Sequence, residues 1–369
     1  MSLNATESSV RRQIALILTA WGMPQNLIET TTEVMVETDL MGVDSHGISM
    51  LMQYEQKNRD GRLNLQAQPQ IEMETPVVAR LNAGANLGHP VSVQAMNLAV
   101  DKALTMGIGL VTVRNSHHFG AAGYYARMAT KRGAIGIVTS TARGIVVVPT
   151  RSAKPVLGTN PIAIAAPSGR NSPFVLDMAT STIAAGKLKV YGFQNKPLPD
   201  GWVADGEGKS LNDGNVAYDM FLGPKASGYG GLTPIGGTPE LSNHKGYGLG
   251  LTAQILAGVL TGSNFAPRDR PTEAPDAPEN IGHFFMAIDP KMFRAAGEFE
   301  SELDGIIDFL HATEPSSPEQ PVLVPGDPED AKRALRLKGG IPIPDALAEH
   351  IQAVSKRSGV EYVLEPNPT

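Results

Sequence analysis

The segment Val113-Arg114-Asn115-Ser116-His117-His118-Phe119-Gly120-Ala121-Ala122-Gly123 constrains this chain more than any other. The β-branched run 108–113 leads into it, and a helical pattern over 124–131 follows it. A second apolar run, 134–139, comes after Gly133. Period and punctuation read as strand, polar turn, helix, strand: one βαβ unit with its turn at the carboxyl end of the first strand. Open α/β sheets gather ligands at that end. Ser116 could simply cap the helix and leave the histidines on the surface. Two adjacent histidines flanked by Ser and Gly favour the other reading, in which imidazole and backbone face a ligand.

Composition removes several classes of function. The 369 residues suffice for two domains or one large one. A net charge of −6 argues against nucleic acid or an anionic membrane surface as the main partner, which leaves small molecules. The chain has no cysteine, so disulfides, thiolate catalysis and Cys-zinc sites are excluded. Residues 1–10 are polar and no apolar run approaches a membrane span, so a cytoplasmic protein is expected.

Along the chain, Ser8 or Ser9 caps a helix over 11–21 that Gly22 ends, and Pro24 opens a second one to about Leu40. Gly42-Val43-Asp44-Ser45-His46-Gly47 precedes Ile48, Met50, Leu51 and Tyr54 at helical spacing. Segments 62–71 and 77–81 are expected as strands and 90–106 as a helix. Beyond the βαβ unit, 140–155 is irregular and holds Arg143, Arg151 and Lys154. Strands are expected at 162–166 and 174–177, loops over 195–225, and a Gly-rich stretch over 222–237. The run 249–260 is apolar on nearly all sides and should be buried. The Pro- and acid-rich 266–279 should be exposed. A strand at 283–288 and helices at 298–312, from about 329, and at 344–356 complete the pattern.

No G-x-G-x-x-G, Walker lysine loop, G-x-S-x-G elbow or H-E-x-x-H occurs, and no metal site is expected. What remains is Ser45 with His46, His118, Asp177, Lys245 and the Pro325-Gly326-Asp327 turn. Singly, each has a bland alternative: a helix cap, a surface imidazole, a strand-end turn, a solvated charge, a helix start. Together they hold what reduction of a carbonyl or imine by hydride requires. A histidine moves the proton, because its pKa lies near neutrality. A lysine holds a carboxylate or phosphate. Small residues and backbone N–H groups at helix starts accept a pyrophosphate.

Five motifs occur in order: Asp44-Ser45-His46-Gly47 with Tyr54, Asn115-Ser116-His117-His118-Phe119-Gly120, Gly158-Thr159-Asn160-Pro161, Asp177-Met178-Ala179 and His244-Lys245-Gly246-Tyr247-Gly248. In that register the chain resembles the malate/L-lactate dehydrogenase family of the second type, from about Ile14 to the Pro325-Gly326-Asp327 turn. That family also holds sulfolactate and ureidoglycolate dehydrogenases, diketogulonate reductase and the piperideine-2-carboxylate reductases.

The resemblance implies an α/β fold with a mixed sheet and helices, and a nicotinamide-binding fold of the L-sulfolactate dehydrogenase type rather than a Rossmann domain. It implies a helical N-terminal region, 1–75, packed with a C-terminal helical segment, 321–369, around a cofactor- and substrate-binding part, 76–320. It further implies NAD or NADP as cofactor and a homodimer. His46 falls on the proton donor and Ser45 on the residue assisting it. His118 falls on a second acid/base or substrate position, and Tyr54 on a substrate contact. His117 matches no such position. Cofactor contacts fall on Phe119, Gly120, Ala121 and Ala122, on Asp177, Met178 and Ala179, on Lys245 and Gly246, and on Pro325, Gly326 and Asp327. The chain departs at Met50, where many members carry an arginine suited to a substrate carboxylate; a thioether cannot pair with one. Arg143, Arg151, Lys154 and Lys187 are the replacement cations the sequence offers. The expectation is an NAD(P)-dependent oxidoreductase acting at C2 of a small 2-hydroxy, 2-oxo or cyclic 2-imino acid, such as malate or lactate. The rival is a non-catalytic dinucleotide- or metabolite-binding protein, which Met50 keeps open.

Overall fold

The computed structural model describes residues 3–184, 187, 188, 191, 196–221 and 228–368. In chain order the strands are β1 (Leu3–Ala5), β2 (Gln70–Glu74), β3 (Val78–Asn82), β4 (Ile108–Ser116), β5 (Ile135–Ser140), β6 (Ile162–Ala166), β7 (Phe174–Met178), β8 (Val203–Ala204), β9 (Gly231–Leu232), β10 (Ile281–Ile288) and β11 (Ile341–Ile343). The helices are α1 (Glu7–Ala20), α2 (Gln25–Leu40), α3 (Leu51–Arg59), α4 (Gly88–Met106), α5 (Ala122–Thr130), α6 (Gly214–Phe221), α7 (His244–Gln254), α8 (Ala266–Asp269), α9 (Glu298–His311), α10 (Asp327–Gly339) and α11 (Asp345–Ser358). A 3-10 turn, Ile48–Met50, leads into α3, and a π turn, Ile255–Val259, continues α7.

The central sheet has seven strands in the order β2-β3-β4-β10-β5-β6-β7. Among the described residues of this sheet only β3 and β4 pair in parallel; the other contacts are antiparallel. The sheet is therefore mixed, as the class assignment requires. The expected strand–turn–helix–strand unit is present as β4, α5 and β5. Its two strands do not touch, because β10 enters between them, pairing Phe284 with Thr112 on one side and with Thr139 on the other. Helices α4 and α5 cover one face with small residues, Ala95, Ala99, Ala126 and Ala129, against Val111, Val138 and Phe285.

A second core joins the two ends of the chain. Ile14, Ile17, Val36, Leu40 and Leu51 pack with Ile341, Ile343, Ile351 and Val354. Strand β1 pairs with β11, Leu3 opposite Ile343. A third, smaller core gathers Val147, Leu157, Leu188, Leu198, Val203 and Leu232.

Several local expectations need correction. Thr6, not Ser8 or Ser9, caps α1, its Oγ1 accepting from Ser9 N at 3.1 Å. Residues 62–69 form no strand; Asn86 Nδ2 donates to Leu65 and Ala67 carbonyls there, so the backbone is satisfied by a side chain rather than a neighbouring strand. The run 249–260 is not buried all round. It lies on the sheet through Gly250, Ala253, Ala257 and Gly258, while Leu249, Ile255, Val259 and Leu260 are exposed. Segment 266–279 is largely exposed, as expected, but is pinned by Glu273 and Glu279, whose carboxylates are nearly enclosed by Arg143 and Lys57. Of the stretch 222–237, residues 222–227 lie outside the described ones. Among the described residues no helix is long and apolar enough to cross a membrane.

Ile351 is fully buried where α11 meets the N-terminal helices. Ile351→Ala should cost about 2–5 kcal/mol of stability. A lower denaturant midpoint at unchanged slope would show it.

Candidate active site

Strand β4 ends at Ser116, and the chain crosses the sheet edge through 117–121 before α5 begins at Ala122. His118 is half-buried on this crossing. Its Nδ1 lies 2.7 Å from Tyr54 Oη and accepts from Gly120 N at 3.4 Å. A backbone N–H can only donate, so Nδ1 is the unprotonated nitrogen and the proton of the neutral ring sits on Nε2. Tyr54 O–H donates to that same Nδ1. The tyrosine is fully buried between α3 and the crossing, and its oxygen also meets His89 Nε2 at 3.5 Å. Tyr54, expected against the substrate, therefore stands one layer behind, where it orients His118.

The Ser45-His46 pair sits on the loop between α2 and the 3-10 turn. Ser45 Oγ is 2.7 Å from His46 Nδ1, and the His46 and His118 rings are 5.2 Å apart, centre to centre. The loop is clamped from both sides. From below, Asp39 of α2 accepts from Ile48 N at 2.8 Å. Gly47 lies directly on that carboxylate: a Cβ there would be 1.9 Å from Asp39 Oδ1, so no other residue fits. From outside, Arg336 of α10 donates to the Asp39 carbonyl at 2.5 Å and grips the Asp44 carboxylate, with Nη2 to Oδ2 at 3.0 Å.

These groups face a cavity of about 490 Å³. Of the residues expected from sequence, Ser45, His46, His118, Gly120, Ala121, Ala122, Asp177 and Ala179 line it. Asp177 forms its floor at the end of β7, its Oδ2 accepting from Gly123 N at 2.7 Å. Phe119 lies behind the wall, stacked on His283 at 4.4 Å between ring centres. Met178 belongs to β7 opposite Ile162 and does not reach the cavity. Lys245 and Gly246, at the start of α7, lie apart from it: Lys245 is exposed and Gly246 is packed on the Ile235 backbone. The Pro325-Gly326-Asp327 turn buttresses the wall from outside. The Pro325 carbonyl accepts from Val175 N at 2.9 Å, and Asp327 is occupied by His311 Nε2 and Val324 N, each at 2.7 Å.

The cavity also holds Met50, the position marked as a departure, and three residues that the motifs did not mark: Gln53, Arg127 and Glu329. Arg127 lies one helical turn beyond Gly123 on α5, so helical period was the signal available for it. It is ion-paired with Asp330 of α10 at 2.6 Å. None of the four replacement cations lines the cavity. Arg143 is held by Glu273, Arg151 and Lys154 lie elsewhere, and Lys187 sits over the Trp202 ring. His117 is not a surface residue; it is fully buried, 3.3 Å from Glu279.

Enclosure sets the protonation states. Burial lowers the pKa of His46, and burial with the neighbouring His46 and His89 rings holds His118 well below its usual range. Both are neutral imidazoles at physiological pH. His89 and His283 are pushed down to about 3 by burial. Asp39 is pushed up to about 8 by burial, against the opposing pull of Ile48 N–H. Asp177 opens onto the cavity but is ringed by protein. Desolvation lifts it to about 6; the Gly123 N–H works against this and the Glu329 charge adds to it.

A sequence model described as malate/L-lactate dehydrogenase matches residues 6–352. The chain is 37% identical to a malate dehydrogenase of Pyrococcus horikoshii, over 94% of this chain and 93% of that one. It is 36% identical to an L-sulfolactate dehydrogenase of Methanothermobacter thermautotrophicus, over 95% of each. Its structure is similar to that of a malate dehydrogenase from Entamoeba histolytica, with a TM-score of 0.90 and 29% identity over 98% of this chain and 99% of that one.

Stability should pass through a maximum near neutral pH. Asp39 has a folded-state value of about 8 against 3.8 when unfolded, so its own contribution to stability falls as pH rises from about 4 to 8. His89 and His283, near 3 when folded against 6.5 unfolded, act in the other direction. Their contribution is lost as pH drops from 6.5 towards 3, by about 1.4 kcal/mol per pH unit for each group. The lowered His46 and His118 add to that acid limb. Thermal melts across pH 4–9 should show the maximum, and Asp39→Asn should flatten its alkaline side.

Proposed function

The chain belongs to the malate/L-lactate dehydrogenase family and is an oxidoreductase; we propose that its reaction takes place in the cavity between His46 and His118. The substrate is a small 2-hydroxy or 2-oxo acid, such as malate or lactate, or a cyclic 2-imino acid. The cofactor is a nicotinamide dinucleotide, NAD or NADP, which supplies the hydride acceptor or donor when bound. The observation that carries this reading is the pair of neutral imidazoles facing one cavity, each oriented by a hydroxyl group.

The floor fits a large, flat ligand. Gly120 to Gly123 carry no side chain longer than a methyl, and a Cβ on Gly123 would meet the Asp177 side chain at 2.8 Å. Backbone and Asp177 are thus left open to a polar cofactor. In this reading the layer built from 1–75 and 321–369 carries the proton-transfer loop. The part spanning 76–320 carries the cofactor floor.

The protein's own groups divide the proton work. In the oxidation direction His46 Nε2 takes the proton of the C2 hydroxyl, and in reduction it returns one to the oxygen or nitrogen. With Nε2 free as base, His46 carries its proton on Nδ1 and donates to Ser45 Oγ, and that bond survives protonation of Nε2 to the imidazolium. His118, with its proton on Nε2, donates a hydrogen bond to the same substrate atom and stabilises negative charge developing there. Met50 adds no charge to the wall, so a substrate carboxylate relies on backbone N–H groups or on Arg127.

The outward apolar residues of α7 and its π turn, Leu249, Ile255, Val259 and Leu260, support a homodimer. Light scattering should return about twice 39.1 kDa, and a monomer mass at working concentration would contradict it. His46→Ala should lower kcat about 10²–10⁴-fold while cofactor affinity stays nearly unchanged. The assay is nicotinamide absorbance with a panel of 2-oxo acids and cyclic imines, each with NADH and NADPH. Full turnover by His46→Ala with loss in His118→Ala would exchange the two roles. No turnover by the wild type on any substrate would sink the reading.

A further inference from the structure

Resting on the reading of the cavity as the reaction site, we infer that Arg127 of α5 is its anion anchor. The Nε–Nη2 edge of the guanidinium takes two oxygens of a ligand oxyanion, a carboxylate of the acid or a phosphate of the dinucleotide. Arg127 lines the cavity, and its side chain is 18% exposed. Its Nη1 pairs with Asp330 Oδ1 of α10 at 2.6 Å. Its Nε and Nη2 have no acceptor among the described residues and are closed off from solvent. A charged donor held dry without an acceptor is costly, and folded proteins carry few of them.

The unpartnered edge is the one that chelates. Nε–H and Nη2–H point side by side from one edge of the guanidinium plane, at the spacing of the two oxygens of a carboxylate or phosphate. The protein uses this edge for that purpose elsewhere. Arg333 meets Glu37 through it at 2.8 and 2.9 Å, and Arg357 meets Glu55 through it at 2.7 and 2.6 Å. In Arg127 the carboxylate partner sits on Nη1 instead, which leaves the fork to a ligand.

The charge of the lining makes the same demand. Among the described residues no lysine and no second arginine lines the cavity, while Asp177 and Glu329 do. Met50 contributes no charge. An anionic ligand entering such a space is repelled unless a cation offsets the two carboxylates. Arg127 shares α5 with Gly123, whose N–H holds Asp177, so guanidinium and cavity lining stand on one rigid helix. Seating the oxyanion takes a rotation of the Arg127 side chain, a change common on binding.

The test measures, on the intact protein, Kd for NADH and NADPH by fluorescence titration and KM for the 2-oxo acid or cyclic imine that the wild type turns over. Arg127→Gln removes charge and fork. It should raise one of these constants about 10–100-fold while kcat changes little. A higher KM with both Kd values kept assigns the carboxylate. Weaker binding of both dinucleotides assigns the diphosphate, and of NADPH alone the 2′-phosphate. Arg127→Lys keeps the charge without the fork and should show a smaller loss in the same constant. Asp330→Asn keeps the guanidinium and should stay near wild type. Circular dichroism establishes folding, and if Arg127→Gln does not fold, Arg127→Lys decides by the same comparison. An equal loss in folded Asp330→Asn would mean that Arg127 acts only by holding α10. That result, or unchanged constants in folded Arg127→Gln, would overturn the anchor and leave the reaction standing. A wild type that binds neither dinucleotide and turns over no substrate would overturn the reading beneath it.

Discussion

One neutral imidazole ties the sheet to the cavity. His283 of β10 stands between β4 and β5 and takes a hydroxyl from each: Ser116 Oγ at 2.8 Å from Nε2, Ser140 Oγ at 2.8 Å from Nδ1. Phe119 stacks on the ring with only 2° between planes, and this seats the crossing that presents His118 and Gly120. The arrangement requires an uncharged ring, because two hydroxyls cannot compensate a buried cation, and burial supplies that condition. It also explains why the fold is not doubly wound. With an antiparallel strand between β4 and β5, these two strands open no crevice between them, and the cavity forms over the crossing instead.

Helix α10 is the outer wall of that space. Three arginine–carboxylate contacts run along or beside it: Arg127 to Asp330, Arg333 to Glu37, and Arg336 to Asp44. Each joins α10 to a different part of the site: the helix after the crossing, α2, and the His46 loop. The Arg333 pair is bidentate, at 2.8 and 2.9 Å, which fixes rotation about the helix axis as well as distance. The helix after the crossing and the His46 loop are thus referenced to one rigid element.

Local pattern was enough for much of this. β4, α5, β5 and β6 are bounded by apolar period and glycine, and both signals lie within a few residues of the elements they define. Ser45, His46, His118 and Asp177 were legible as candidates because, taken together at turns beside strand and helix ends, they supply a proton donor and polar contacts that no single one of them implies. The pairing of Ile281 with Ser116 was not legible, since nothing local specifies a partner so distant in sequence. Motif order also says nothing about facing. Asp327 matches a cofactor position but is consumed by His311, while Glu329, two residues on, turns to the cavity. The 249–260 helix misled for a related reason: hydrophobic content was taken as depth, whereas the glycines and alanines make the close contact and the large side chains remain outside. Tyr54 sat at the right spacing, yet a phenol has both an apolar body to bury and a polar tip, and here the tip serves His118.

The joining of the chain's two ends has a consequence for the order of synthesis. Strand β1 has its partner in β11, and the helices that carry the His46 loop share a core with Ile351 and Val354. On the ribosome, the central sheet can close once β10 has emerged, but the N-terminal helices must wait with one apolar face uncovered until residues 341–364 follow. The wall at Gly120–Gly123 is therefore assembled before the His46 loop is locked. A nascent or prematurely stopped chain would hold a formed sheet and an unseated His46, so the cavity is complete only once translation has passed the last helix.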